Sequence, residues 1–243
     1  MLVVAEHSPL ARRQEHHLCP GCGESIAIRL ISEVIDEMGL RGDAIAITGV
    51  GCHTEAGAQI DIDFQQAMHG RPPSQATGAK RVLPDRLIMT IQGDGDLMSE
   101  GTNEAIQAAA RGERITIICM NNATLADTGS HMSSATLVGQ KTKTTLDGRS
   151  DEHQGKPLRF AEILAQIDGT AFAARTSVHS PAHIQRTKKA LQKAFETQRA
   201  NRGLSYVEIL TMCPSGWFMS PVEALDFIED KMVPAFPLGT FKE

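Results

Sequence analysis

No run of about 18 apolar residues occurs anywhere in the 243-residue sequence, so no segment is expected to cross a bilayer as a helix. An excess of basic charge is also missing. Lys and Arg number 24 against 29 Asp and Glu, a formal net charge of −5, which argues against a dedicated nucleic-acid binder. Met1 to His17 holds one short apolar stretch, Leu2-Val3-Val4-Ala5, and then charges, without the apolar core or cleavage site of a secretory signal. The expected compartment is therefore the cytoplasm. Repeats and low-complexity tracts are absent. Cysteine is scarce, five in all, and in a cytoplasmic chain these residues are not expected to pair as disulfides. Their spacing is instead to be read for metal or redox chemistry. The 41% of hydrophobic residues suits one globular domain, or at most two small ones.

Short apolar runs of strand length alternate with stretches of helical spacing. The strands are expected at Ala44–Val50, Leu87–Gln92, Ile115–Asn121, Thr170–Ala174 and Ser205–Thr211, and the helices at Ser25–Met38, Gly101–Arg111, Arg159–Gln166, Pro181–Arg199 and Pro221–Lys231. Near-continuous runs such as Ile115 to Met120 suit strands covered on both faces. The repeated strand–helix order predicts an α/β fold with a doubly wound, mostly parallel sheet. Asn122 to Pro157 breaks the rhythm, and a segment of that length inside a compact domain is more often functional than idle. Ligands of such sheets sit at the carboxyl ends of the strands. Three motifs fall there: Gly49–His53, Gly93–Asp96 and Asn121–Thr124.

The strand from Leu87 runs into Gly93-Asp94-Gly95-Asp96, and the strand from Ile115 into Asn121-Asn122, 27 residues beyond Asp94. A carboxylate and a side-chain carbonyl from adjacent strand ends are hard oxygen ligands suited to Mg²⁺, which retains substrate phosphate oxygens in its shell. A helix from about Glu100 would aim its N-terminus at such phosphates. The cysteines form a C-x₂-C pair, Cys19 and Cys22, with Cys52 after the first strand and Cys213 after the last. Cys119 lies inside an apolar strand as a core thiol. Four thiolates suit zinc and a [4Fe–4S] cluster alike, and ligand type alone does not choose. Ser74 to Arg81 lacks the spacing of a P-loop. Helix Pro181–Arg199, with Arg186, Lys188, Lys189 and Lys193, is most simply a solvated face, with electrostatic docking of an acidic partner as the alternative.

Gly-Asp-Gly followed by Asn-Asn resembles the thiamine diphosphate motif. That resemblance implies the diphosphate-binding domain of the thiamine diphosphate fold. It implies Gly93, Asp94, Gly95, Asp96, Asn122, Thr124, Gly51, Cys52 and His53 around the cofactor, with Mg²⁺ held by Asp94, Asn122 and the backbone oxygen of Thr124. Cys19-Pro-Gly-Cys22-Gly, Gly-Val-Gly-Cys52 and Cys213-Pro-Ser-Gly-Trp extend the likeness to the beta subunit of 2-oxoacid:ferredoxin oxidoreductases. His69-Gly-Arg, Ala76-Thr-Gly-Ala-Lys80-Arg-Val-Leu-Pro-Asp, Leu137-Val-Gly-Gln-Lys-Thr and Ser177-Val-His-Ser-Pro resemble its branched-chain, 2-oxoisovalerate type. The likeness runs from about His17 to Gly239.

The resemblance implies oxidative decarboxylation of a 2-oxo acid to an acyl-CoA, with electrons passing through a [4Fe–4S] cluster on Cys19, Cys22, Cys52 and Cys213 to ferredoxin. It implies one domain over residues 1–243, with a cysteine loop (17–24) and a C-terminal segment (212–243) closing the cluster site. An alpha subunit would supply the pyrimidine-binding domain and the activating glutamate, alongside gamma and ferredoxin-like delta subunits. Gly78 and Lys80 would start or support a helix near the active site. Glu24, Glu55 and Glu100 are candidate local carboxylates, each read more simply as a solvated or helix-end residue.

The sequence departs from the family after Asn122. A neutral Tyr-Gly-Met-Thr-Gly-Gly-Gln is replaced by Leu125-Ala-Asp127-Thr128-Gly129-Ser130-His131, bringing a carboxylate and an imidazole towards the reactive face. Drift in a repacked loop and a changed substrate or proton handling both account for it. Asp127, His131 and His69 are the candidate catalytic residues. His53 beside Cys52 either bonds a cluster sulfur or is solvated. Competing readings are a non-oxidative thiamine diphosphate decarboxylase subunit with a structural Cys₄ zinc, and a catalytically silent subunit.

Overall fold

The computed structural model describes Ser8, Ala11 and residues 15–243. The reading of Met1 to His17 as free of a secretory signal falls largely outside them. The chain runs α1 (Gly23–Glu37), β1 (Ala44–Thr48), α2 (Ala56–Gln59), β2 (Asp63–Gln66), α3 (Pro72–Val82), β3 (Leu87–Gly93), α4 (Thr102–Ala110) and β4 (Thr116–Asn121). After a long loop it continues through α5 (Phe160–Ala165), β5 (Thr170–Ser177), α6 (Pro181–Arg199), β6 (Leu204–Leu210), α7 (Pro214–Trp217), α8 (Pro221–Phe227), α9 (Val233–Ala235) and β7 (Gly239–Lys242).

The seven strands form one sheet in the order β2-β1-β3-β4-β6-β5-β7. All neighbours are parallel except the edge strand β7, antiparallel to β5. The expected mostly parallel α/β sheet is thus observed. β4 and β6 are buried along their whole length, as strands covered on both faces must be. α1 turns Ala27, Leu30, Ile31, Val34 and Ile35 inward at helical spacing. α6 starts with Pro181 in its first turn, where a missing N–H costs nothing, and covers the expected range. α1 packs with α6, and α3 packs with α4. Lys188 of α6 bridges to Glu33 (3.0 Å) and Glu37 (2.6 Å) of α1, and Lys193 pairs with Glu243 (2.7 Å), so half of the basic set on α6 is committed within the chain.

Three elements differ from expectation. β2, Asp63-Phe-Gln-Gln, is a polar edge strand held by its pairing with β1, from Ile45↔Asp63 to Thr48↔Gln66. The helical run after β3 begins at once, as a π-type turn over Gly95–Glu100 that leads into α4, rather than at Glu100. Gly78 and Lys80 do lie in a helix, α3, but Lys80 Nζ donates to the Arg86 carbonyl (2.6 Å), just before β3 starts. That is the amino end of the sheet, opposite the strand ends that carry the motifs.

Candidate functional site at the strand ends

The chain passes from β1 to β2 on one side and returns to β3 on the other. This reversal opens a crevice at the carboxyl ends, the usual ligand position in such sheets. The segments after β2, β1, β3, β4 and β6, five successive neighbours, deliver His69, Gly51–His53, Gly93–Asp96, Asn122–Thr128 and Cys213. All but Ala123 and Cys213 line one cleft, together with Glu24.

Asp94 is buried, and its carboxylate accepts from the Asn122 N–H at Oδ1 (3.1 Å) and from Ser133 Oγ at Oδ2. Each oxygen keeps a further acceptor site for a cation. Burial pushes its pKa up to about 7, which a bound cation would reverse. Asn121 and Asn122 fold the next turn on themselves. Asn121 Oδ1 accepts from the Ala123 N–H (2.9 Å) and Asn122 Oδ1 from the Thr124 N–H (3.2 Å), with Ala123 in the left-handed region at φ 57°. Gly95 is required at this point, since a β-carbon there would run into the Leu125 side chain.

Asp96 has a different task. Its buried carboxylate accepts from the Gly70 N–H (2.9 Å), the Val50 N–H (3.3 Å) and Gln92 Nε2 (2.7 Å), latching the ends of β1, β2 and β3 together. A β-carbon on Gly49 would collide with that carboxylate. His69 Nδ1 lies 3.3 Å from Asp96 Oδ1 and His53 Nε2 lies 3.8 Å from Oδ2. His53 is buried, and its Nε2 has no hydrogen-bond partner. Desolvation lowers its pKa to about 4 against the pull of Asp96, so the ring is neutral. It is therefore not solvated. It faces Asp96 and Gly93 rather than the cysteines.

Four cysteines gather on the other flank. The N–H of Gly23 donates to the Met212 carbonyl (2.9 Å), stapling the Cys19–Cys22 turn to the segment that carries Cys213. Cys22, Cys52 and Cys213 each lie within electrostatic reach of others of the set, and Cys19 of all three. Burial pushes the Cys22 and Cys213 thiols up to about 12, and Cys52 is raised as well, with the Glu24 carboxylate adding to all three. Backbone N–H groups of Glu24 and Gly216 point at the Cys22 and Cys213 sulfurs and favour their thiolates. No three of these sulfurs lie within 4.8 Å of one another. Cys119 is buried in β4, as expected.

Glu24 is a helix-end residue, in the first turn of α1, but it is not solvated. It is 2% exposed, between the cysteines and Asp94, with Oε1 accepting from Asn122 Nδ2 (3.2 Å) and Oε2 unpartnered. Burial, then Asp94 and Asp127, raise its pKa to about 8. The available signal was its position in the first turn of α1, one residue after Cys22-Gly. Glu55 is half-buried and Glu100 exposed. Trp217 Nε1 donates to the Asn122 carbonyl (2.9 Å) and Ser130 Oγ to the Gly216 carbonyl (2.6 Å), locking the Cys213 segment to the Asn122 turn.

Of the departing loop, exposed Asp127 lines the cleft, with Cys52 Sγ 3.8 Å from its Oδ1. His131 does not line it, and its Nδ1 lies 3.0 Å from Thr128 Oγ1. The long loop is held by Arg149, whose guanidinium donates to the carbonyls of Ser133, Ser134, Thr136, Gln154, Gly155 and Lys156.

Residues 49–209 match the family described as thiamine pyrophosphate enzyme, C-terminal TPP binding domain. Among curated proteins, the ketoisovalerate oxidoreductase subunit VorA of Methanothermobacter thermautotrophicus is 38% identical over 227 residues, 93% of this chain and 48% of that protein. The 2-oxoglutarate synthase subunit KorB of the same organism is 30% identical over 224 residues, 90% of this chain and 74% of KorB. The chain spans about half the length of the VorA relatives it matches. A solved structure of 2-oxoglutarate:ferredoxin oxidoreductase from Magnetococcus marinus superposes with a TM-score of 0.81 at 20% identity, over 99% of this chain and 85% of that one, a likeness of fold. The strand-end cleft lies largely within the matched residues, and the chain belongs to the thiamine pyrophosphate enzyme family, among the VorA and KorB subunits of 2-oxoacid:ferredoxin oxidoreductases.

Proposed function

We propose that the chain is the thiamine diphosphate-binding beta subunit of a 2-oxoacid:ferredoxin oxidoreductase that converts a 2-oxo acid and coenzyme A to an acyl-CoA. Electrons leave through a [4Fe–4S] cluster to ferredoxin. The observation that carries this reading is the meeting of a hard-oxygen cradle, Asp94 with the Asn122 turn, and four cysteines on the two sides of Glu24. Asp94, Asn122 and the Thr124 carbonyl would hold Mg²⁺, whose preference is for oxygen donors. Cys19, Cys22, Cys52 and Cys213 would hold the cluster. The same four thiolates would also suit a single structural zinc, the competing reading, and metal analysis separates the two.

Bound thiamine diphosphate supplies a nucleophilic carbon for the 2-oxo carbonyl and a sink for the electrons left when CO₂ departs. The chain's own residues set the conditions. Asp96 rigidifies the crevice, Gly93, Gly95 and Gly51 let the backbone approach the cofactor, and His53 lends a neutral wall. Glu24, its pKa near 8, keeps a proton at neutral pH beside the cleft. Asp127, exposed, and His69, beside Asp96, line the cleft as candidates to meet the substrate. His131 acts through Thr128 rather than by touching substrate.

The activating glutamate is assigned to an alpha subunit, with gamma and delta subunits completing the enzyme in the cytoplasm. No helix among the described residues is long and apolar enough to cross a membrane. Two bulky apolar residues after β2 and β6, Met68 (79% exposed) and Phe218 (78%), support a partner at this end of the sheet. Phe218 is also held at φ 57°, a costly conformation for an aromatic residue. The cysteine loop 17–24 and segment 212–243 close the single domain over the cluster. The VorA relative, named for ketoisovalerate, favours a branched-chain 2-oxo acid.

The test is anaerobic purification with the partner subunits, assay of iron, sulfide and zinc, and visible and EPR spectra on adding 2-oxo acids with coenzyme A. Iron and sulfide in equal amounts, reduced by one acid, is the expected result and names the substrate. Stoichiometric zinc with no bleaching would leave a non-oxidative decarboxylase subunit. Bound cofactor with no turnover of any 2-oxo acid would mark a silent subunit.

A further inference from the structure

Outside the cleft, where β5 leaves the sheet, two imidazoles and a carboxylate converge. His179 Nε2 lies 2.8 Å from Glu229 Oε2, and the His179 and His183 rings stack with centroids 4.5 Å apart and planes inclined by 30°. One ligand atom from each of the three side chains falls within 4.8 Å of the others. His183 sits in the first turn of α6, and Glu229 in the π-type segment Ile228–Met232 that joins α8 to α9. Ser177 Oγ, 2.7 Å from His179 Nδ1, occupies that nitrogen and leaves Nε2 facing Glu229. An outer hydrogen bond of this kind is what orients imidazoles that bind metals.

From this geometry we infer that His179, His183 and Glu229 form a site for one divalent transition-metal ion of the zinc class, with water completing the shell. Two imidazoles and one carboxylate are the donor set of such ions rather than of Mg²⁺ or Ca²⁺. A plain His179–Glu229 ion pair gives the stacked His183 no role. Three protein ligands, with Glu229 62% exposed, make an open site that the ion reaches from solvent. Its consequence is mechanical. The ion clamps the C-terminal arm, α8 to α9, onto the β5–α6 corner, and the Phe227 ring of that arm packs on Trp217 (4.6 Å), four residues past Cys213. The inference does not depend on the cofactor reading above.

The experiment titrates zinc chloride anaerobically into the purified full-length chain with its partner subunits and records the zinc K-edge absorption. The expected result is one added equivalent with nitrogen and oxygen neighbours and no sulfur shell. H183A and E229Q should each weaken binding at least ~10-fold, and S177A should weaken it measurably, in line with losses of about 10–100-fold for outer partners of metal sites. Glu229 is exposed, so E229Q leaves the fold intact, as circular dichroism will verify. A sulfur shell around the added zinc, or unchanged affinity in both E229Q and H183A, overturns the inference.

Discussion

Glu24 and Asp94 hold protons in the folded chain over a range where the unfolded chain has lost them. Their pKa values rise from the ordinary 4.5 and 3.8 to about 8 and about 7, with desolvation as the leading cause. A carboxyl group raised in this way loses stability as pH climbs from its unfolded to its folded value. His53, lowered from 6.5 to about 4, works in the opposite sense and costs stability as pH falls through that window. The terms partly offset below pH 6.5 and not above it. The ligand-free chain should therefore lose thermal stability most steeply between pH 6.5 and 8. At about 1.4 kcal/mol per pKa unit, Glu24 alone accounts for on the order of 2 kcal/mol of the loss across that interval. Glu24→Gln should flatten it, and melting temperatures at pH 6.5 and 8 measure both; a wild-type curve that is flat across the interval would show that these carboxyls are not uncompensated. Asp94→Ala should abolish binding of Mg²⁺ with thiamine diphosphate in calorimetry, and full retained activity would remove Asp94 from the metal site.

At the scale of elements, the loop from Asn122 to Pro157 is a piece of irregular chain that behaves as a built part. Arg149 donates to six carbonyls, of which those of Ser133 and Ser134 also accept from the Thr136 and Leu158 N–H groups; each of the other four costs about 1–3 kcal/mol if left buried and unpaired. Arg149→Ala should lower stability by about 2–4 kcal/mol, with water relieving part of the loss at the rim. Urea unfolding reads the magnitude, and faster proteolysis between residues 137 and 157 locates it. The segment after β6 is a second such part, tied to the Asn122 turn through Trp217 and to α1 through Met212. Cys213→Ser should leave this packing in place and remove the cluster, so that iron content falls while the circular dichroism is unchanged. Unaltered iron would strike Cys213 from the ligand set.

Across the whole molecule, one buried ion network joins the far edge of the sheet to the site. Arg175 of β5 pairs with Glu208 of β6 (3.0 Å, both fully buried) and with Glu162 of α5 (2.6 Å), while its guanidinium lies over the rings of Phe236 and Phe241 beside β7. Glu208 in turn accepts from Asn121 Nδ2 (2.8 Å), the residue that opens the Asn122 turn at the cleft. Removing one partner of a buried pair strands the other charge, at a cost of about 3–5 kcal/mol. Arg175→Met should destabilise by that amount, and a second change, Glu208→Leu, should recover part of it. Denaturant midpoints of the single and double variants check the coupling.

Much of the architecture was legible because parallel strands must be apolar on both faces, and Leu87 to Gln92 and Ile115 to Asn121 announce that plainly. The strand-end cleft was legible for a related reason. Gly-Asp-Gly, Asn-Asn and the cysteines stand where buried strands end, and that position is written in the pattern itself. β2 was not legible, since Asp63-Phe-Gln-Gln buries little and is made a strand by main-chain bonds to β1. The burial of Glu24 and His53 was not legible, because polar side chains are ordinarily solvated. Only the convergence of five strand ends removes the water around them and shifts their proton affinities. The meeting of His179, His183 and Glu229, 50 residues apart at its widest, likewise depends on where the C-terminal arm folds back. The sequence by itself determined the sheet, the strand-end motifs and the donor chemistry. The tertiary structure decided which polar groups lie buried, because burial is a property of what packs against a residue and not of the residue alone.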